Sequence, residues 1–352
     1  MELKKELWGK SACGKEIYLY TLKNESGAYV QLSSVGAGTV SVVVPDKDGV
    51  LADVALGYPE ASSYFGDGPC AGKVPGRFAN RIALGKFTLD GVEYELPINN
   101  GPNHLHGGPT GCHARVWDAE QLNDQELVLR YTFAYYEEGF PGEVSMTVKY
   151  SLTNDNELVI DYRGTTNKKT VVNMTSHGFF SLTGIANPTP SQLDTILTIN
   201  ADFYVPIDEN SIPTGEIRKV EGTPFDFRTP TAIGDRINDE TNEQIVNGVG
   251  YDHNWILNTN CDLTKCFGTL YDPNTGIFME MFTDQPGVQF YAGNFLDGSF
   301  VGKKGVKYPR RSAFCFETQH YPDSPNHPEW PSTTLLPGEN YMTTTMYKFS
   351  TK

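Results

Sequence analysis

Residues 126–166 read ELVLRYTFAYYEEGFPGEVSMTVKYSLTNDNELVIDYRGTT. Three runs, ELVLRYTFAYY, GEVSMTVKYSLT and ELVIDYRGTT, are parted by short stretches rich in Gly, Pro, Asn and Asp. Successive side chains of a strand point to opposite faces, so such runs bounded by turn residues read as consecutive antiparallel strands. The signal extends both ways from here. Upstream, KEIYLYTLKN and AYVQLSSVG alternate in part, and VSVVVPDKDG is a buried run closed by a Pro-Asp turn. GKFTLDGVEYEL predicts a hairpin, because Asp90-Gly91 supplies a type I′ turn between two alternating runs. Downstream, DTILTINADFYVPID, NWILN, CFGTLYD, IFMEMFTD, GVQFYAGNFL and AFCFET carry the pattern to a last run, NYMTTTMYKFS. Helix is scarce: TPTAIGDRINDE and ETNEQIVNG predict one or two turns each near residues 231–247. No repeat, low-complexity tract or linker divides the chain. Residues 1–352 therefore read as one large antiparallel all-β domain with few short helices. Two packed sheets or a barrel both satisfy the alternation.

Composition narrows the function. The 43 acidic residues outnumber the 28 Lys and Arg, for a net charge of −15. That balance repels nucleic acid and anionic membranes, and no basic run offsets it. A small neutral substrate fits better. The six cysteines are Cys13, Cys70, Cys112, Cys261, Cys266 and Cys315. None forms a C-x-x-C pair, and Cys261 and Cys266 lack a second pair to complete a metal site. They read as free thiols in a reducing compartment. The start, MELKKELWGK, is charged and has no apolar core for export. No apolar run approaches the ~18 residues of a membrane span. A cytoplasmic location is expected.

The chemistry centres on residues 311–339, RSAFCFETQHYPDSPNHPEWPSTTLLPGE. Read at period two, Ala313, Cys315, Glu317 and Gln319 share one face, and Phe314, Phe316 and Thr318 the other. Glu317 thus lies among small residues at the end of a strand. Pro322, Pro325, Pro328, Pro331 and Pro337 stiffen the loop that follows, since proline fixes φ. A rigid wall beside one acid suits a preorganised site; a structural salt bridge to an Arg is the alternative.

Five other segments place polar groups at strand ends or Gly-rich turns. GRFANRI carries Arg77, Asn80 and Arg81, which either bridge strands or offer an amide and a planar fork of donors to a ligand. NNGPNHLHGG carries His104 and His106, which share a face on a strand. They form a possible metal pair with no third ligand evident, or a polar contact beside Gly107 and Gly108. NMTSHGFFSL puts Asn173, Thr175 and His177 on one face of a predicted strand. YDHNWIL carries Asp252 and His253, and Asp252 alternatively caps a turn. GVQFYAGNFL carries Asn294 and sets Gln289 on a face with Tyr291 and Gly293. No phosphate loop, dinucleotide fingerprint or G-x-S-x-G is present. General acid–base chemistry by a carboxylate and an imidazole on a polyhydroxylated ligand remains.

At these segments the chain resembles the aldose 1-epimerases, also called galactose mutarotases. GRFANRI, NHLHGG, NMTSHGFFSL, YDHNW, GVQFYAGN and FCFETQHYPDSPNHPEWPSTTLLPGE match family signatures in family order, over residues 76–339. The last is long and specific, whereas LHGG alone is weak. The resemblance implies a galactose mutarotase-like β-supersandwich that interconverts the α and β anomers of free aldohexoses, with no cofactor and no metal. It puts the base on Glu317 and the acid on His177. Substrate contacts fall on Asn80, Arg81, His106, Asp252 and Gln289, with His104 the less certain of its pair. Ionised Glu317 and protonated His177 are expected to stabilise each other, with Arg81 helping to keep Glu317 charged. The alternatives are a hexose-6-phosphate 1-epimerase, which needs extra Arg or Lys for phosphate, and a non-catalytic sugar-binding module. Monomer and dimer stay open.

Overall fold

A computed structural model of the chain describes residues 4–66, 68–185 and 190–352. A nine-stranded sheet begins with Asp118–Asn123, Glu126–Phe133, Val144–Leu152 and Glu157–Thr166. It continues through Tyr341–Thr351, Ile277–Thr283, Cys266–Tyr271, Ile196–Ile199 and Thr231–Ala232. Val144, Met146, Val148, Tyr150 and Leu152 are buried while the residues between them are more exposed, as period two requires. Pairing is antiparallel, in the order expected for the three central runs. A five-stranded sheet holds Lys4–Lys10, Glu16–Lys23, Tyr29–Ser33, Gly38–Pro45 and Leu51–Asp53, consecutively. Its first strand escapes sequence reading, because KKELWGK has too few apolar residues to mark a face. It forms by backbone pairing on Glu16–Lys23 at the sheet edge.

The third sheet carries the functional residues. Its strands are β1 (Phe179–Phe180), β2 (Phe203–Val205), β3 (Arg218–Lys219), β4 (Asp252–Ile256), β5 (Gly287–Tyr291) and β6 (Phe314–Gln319), ordered β1-β6-β5-β4-β2-β3. One face meets the main core: Trp255, Phe290, Phe314 and Phe316 join a cluster with Val148, Tyr162, Met281 and Tyr347. The Tyr347 hydroxyl donates to the Phe316 carbonyl at 2.8 Å. Register therefore puts Asp252, Gln289, Cys315 and Glu317 together on the opposite face. A one-residue slip of β6 would exchange Phe316 for Glu317 in the core. Each large apolar side chain that lost its burial would cost about 1.5–3 kcal/mol, so the carboxylate's direction is fixed by the rings behind it.

The Lys86–Leu89 and Val92–Glu95 hairpin turns through Asp90 (φ 52°) and Gly91 (φ 79°), the two positive angles of a type I′ turn. The expected helical turns appear as Ile233–Asp235, a 3₁₀ turn, and Glu243–Asn247, whose first amides donate to the Asn242 side chain. NMTSH, expected as a strand, is not one. It carries one isolated bridge, from Asn173 to Phe78, and two of its amides pair with the loop before that: Asn173 N–H donates to the Arg77 carbonyl at 3.0 Å and His177 N–H to that of Lys73 at 2.8 Å. No helix among the described residues is long and apolar enough to cross a membrane. All six cysteines are free.

Candidate active site

Glu317 and His177 meet at the floor of a single cleft of about 500 Å³. Glu317 Oε1 lies 3.5 Å from His177 Nε2. Glu317 is 2 % exposed, and its Oε2 has no protein partner among the described residues. Among the described residues no Arg forms a salt bridge with it, so the structural ion pair is not what holds it. Asn80, Arg81, His106, Asp252 and Tyr291 also line the cleft. The proline-rich loop ties down the walls. Asp323 N–H donates to the Arg81 carbonyl at 2.8 Å, and His320 N–H donates to Asn173 Oδ1 at 3.0 Å.

Asn80 and His106 hold each other. Both have left-handed backbone, at φ 63° and 54°, a conformation that Asn and His tolerate better than most residues. Asn80 N–H donates to His106 Nδ1 at 3.2 Å, and His106 N–H returns a bond to the Asn80 carbonyl at 3.1 Å. Gly107 follows at φ 80°, where a Cβ would lie 1.9 Å from the Gly76 carbonyl oxygen. No other residue fits there, and the loop presenting His106 depends on it.

This clasp sets the His106 tautomer. With Nδ1 accepting from Asn80, the neutral ring carries its proton on Nε2. One ligand atom each from His106, His177 and Glu317 lie within 4.8 Å of one another. By distance these three could surround a cation. Yet one His106 nitrogen is already accepting a hydrogen bond and the other is protonated, so the ring has no free lone pair to give. It is a donor suited to a sugar hydroxyl.

Asp252 opens β4, and its Oδ1 accepts from Gln289 Nε2 at 2.8 Å. Gln289 itself does not line the cleft. It sits beside Asp252 on the same sheet face, opposite Glu317 in the β5–β6 ladder. Arg81 spends Nε on Asn100 Oδ1 at 3.0 Å. The remaining candidates lie elsewhere. Buried Arg77 donates to the carbonyls of Ala134, Pro141 and Gly142. His104 Nδ1 is 2.8 Å from the Pro97 carbonyl oxygen, and its ring packs on Phe140. His253 Nε2 meets Gln244 Oε1 at 3.2 Å, and Asn294 donates to the carbonyls of Gly248 and Tyr251. All four are structural. Sequence reading missed Asn100, which stands in NNGPNHLHGG beside more conspicuous histidines. It also missed the rim, where Phe295 is 59 % exposed and stacks on Tyr291.

The electrostatics differ from expectation. Burial pushes Glu317 well above the usual carboxylate range, and nearby Asp252 pushes it further. Arg81 pulls the other way, as expected, but is outweighed. Burial lowers His177 to about 4, Lys73 adds to this, and the residue's own carbonyl offsets part of it. Asp252 is raised by burial against the pull of Arg81 and Gln289. The pair was expected to sit fully charged. Instead, desolvation favours an uncharged carboxyl beside an uncharged imidazole. Either way the pair holds one transferable proton, on the carboxyl or on the ring.

The family model described as aldose 1-epimerase matches residues 18–348. The chain is 44% identical over 321 residues to the galactose mutarotase of Bos taurus, covering 91% of each protein. It is 36% identical over 339 residues to the aldose 1-epimerase of Escherichia coli (strain K12), covering 96% of each. Its fold is similar to the crystal structure of an aldose epimerase homologue from C. elegans, with a TM-score of 0.87, 28% identity, and 95% and 98% of the two chains covered.

Proposed function

The chain belongs to the aldose 1-epimerase family, and from that premise we propose that Glu317 is its base and His177 its acid. The protein is an isomerase that interconverts the α and β anomers of free aldohexoses such as galactose and glucose. Glu317 as carboxylate removes the proton from the anomeric hydroxyl, and His177 gives one to the ring oxygen. The C1–O5 bond breaks and the open aldehyde forms. Rotation about C1–C2 presents the other face, O5 re-adds to C1, and both protons return.

The observation that carries this reading is the 3.5 Å contact between Glu317 and His177 on one cleft floor. The two oxygens they must serve are bonded to the same carbon, so an acid and a base in mutual contact can reach both. The chemistry needs one proton across the pair, placed on the ring. Burial favours the other placement, on the carboxyl. A bound sugar supplies hydroxyl dipoles in place of water and so lowers the cost of charging the pair. Each proton transfer is worth about 10²–10⁴-fold. His106, Asn80, Arg81 and Asp252 fix the sugar hydroxyls, and Gln289 orients Asp252.

Among the described residues that line the cleft, Arg81 is the only Arg or Lys, against Asp252, Glu209 and Glu317. That balance disfavours a phosphorylated hexose. A non-catalytic module is disfavoured by Glu317 itself, since a carboxyl group buried with an unpartnered oxygen is costly unless it is used. The reading also carries one domain over residues 1–352 and a cytoplasmic location, the latter supported by the six free thiols. Polarimetry on freshly dissolved α-glucose, α-galactose and α-glucose 6-phosphate tests the substrate assignment. Accelerated mutarotation of the free sugars is expected, and a clear preference for the phosphate ester would overturn it.

A further inference from the structure

Two residues apart on β6, Cys315 and Glu317 face the same way, and the His177 ring spans the gap between them. Such residues lie about 6.8 Å apart along a strand. Nε2 of the ring meets Glu317 Oε1 at 3.5 Å, and Nδ1 meets Cys315 Sγ at 3.5 Å. We propose that Cys315 is a positioning residue: its sulfur accepts from Nδ1–H of His177, fixing the tautomer and orientation in which Nε2 alone exchanges the catalytic proton. The proposal rests on the reading of His177 as the acid.

The sulfur is suited to this by being neutral. Cys315 is fully buried, and burial, with Glu317 and Asp252 adding to it, holds the thiol well above its ordinary value, so it stays protonated. A thiol is a weak acceptor that imposes no charge. A carboxylate at that position would stabilise the imidazolium, as the Asp of a hydrolase triad does, and would so make the ring a weaker acid. An apolar side chain would leave Nδ1 without a side-chain partner in a buried place. With sulfur there, a proton passed from Glu317 to Nε2 leaves the bond at Nδ1 unchanged, and so does its onward transfer to the sugar.

The other groups facing His177 do not replace this contact. His106 stands edge-on at 5.2 Å between ring centroids, and Phe179 and Tyr291 wall the ring at 5.1 and 6.2 Å. Lys73 disfavours the imidazolium through its charge, and His113 is coupled electrostatically to His177. His177's own carbonyl is a second, weak acceptor.

The test compares Cys315→Ala and Cys315→Ser with the wild-type protein by polarimetry across pH and by nitrogen-15 NMR of His177. In the wild type, neutral His177 is expected as the Nδ1-protonated tautomer. Cys315→Ala should lower kcat on the order of tenfold, the worth of one hydrogen bond, with KM unchanged and the acid limb of the pH profile moved to lower pH. Cys315→Ser keeps an acceptor and should recover most of the rate. An Nε2-protonated neutral ring in the wild type would overturn the proposal. So would wild-type kcat and pH profile in Cys315→Ala, even with a lowered Tm. His177→Asn separates this from the acid assignment: if it also turned over normally, His177 itself would be excluded, whereas loss of rate there with an unaffected Cys315→Ala would sink only the role of sulfur.

Discussion

Replacing Glu317 with Gln should make the protein inactive and, above the ordinary carboxylate range, more stable. The stability arm follows from burial. In the folded state Glu317 holds its proton well above the ordinary value of 4.5. Between 4.5 and the folded value, the folded chain therefore binds a proton that the unfolded chain has released. The stabilising contribution of this group is complete below pH 4.5 and is lost as pH rises through the folded value. Within that window wild-type stability falls, relative to the Gln variant, by about 1.4 kcal/mol per pH unit. His177 acts oppositely, since its value is depressed to about 4 from 6.5: its contribution is present above 6.5 and lost as pH falls through 4. It is present in both proteins and opposes the trend, so a difference that grows with pH reports the carboxyl. Urea unfolding of both proteins at each unit from pH 5 to pH 8 should give a difference that grows with pH. A difference flat across that range would refute the claim that burial dominates this carboxyl. On the activity side, Gln cannot take the anomeric proton. Mutarotation should drop by about 10²–10⁴-fold, or about 2.7–5.4 kcal/mol in barrier. Sugar binding by calorimetry should be nearly unchanged, because the size and polarity of the side chain are kept.

Turnover in His177→Asn should fall by a similar factor of about 10²–10⁴, read by polarimetry; an unchanged rate would give the ring-oxygen proton to another group. The pH profile of kcat/KM should be bell-shaped. Its acid limb lies near pH 4, where His177 and Glu317 become protonated together. Its alkaline limb lies above the ordinary carboxylate range, where the pair loses its last proton. An acid limb at the ordinary imidazole value would contradict the burial of His177. Gly107→Ala should destabilise the fold by more than about 2 kcal/mol and raise KM, because the new methyl would collide with the Gly76 carbonyl and displace His106; urea unfolding and initial rates measure both. Asp252→Asn should raise KM more than it lowers kcat, since Asp252 positions the sugar and transfers no proton; a kcat loss as deep as that of Glu317→Gln would make it a partner in the chemistry.

Much of the fold was legible because one rule, the two-residue period, governs both a strand's outline and the direction of its side chains. The same rule that set Phe314 and Phe316 toward the core set Cys315 and Glu317 toward the cleft. The Asp90-Gly91 turn was legible because its chemistry is local. What stayed hidden depends on partners distant in sequence. Arg77 resembles Arg81 in the same short motif, yet only its neighbours' carbonyls reveal it as structural. His104 and His106 differ by which one the Asn80 loop grips. NMTSH looks like a strand, but the Asn173 and His177 amides find a loop distant in sequence. The charge state of the Glu317–His177 pair was misjudged because sequence supplies the charges and not the depth at which they lie.

The strand Tyr341–Thr351 follows every other strand in the chain yet lies inside the nine-stranded sheet, between Glu157–Thr166 and Ile277–Thr283. The two flanking strands therefore keep unpaired edges until this segment joins them, and the nine-stranded sheet closes only on the part of it that is made last.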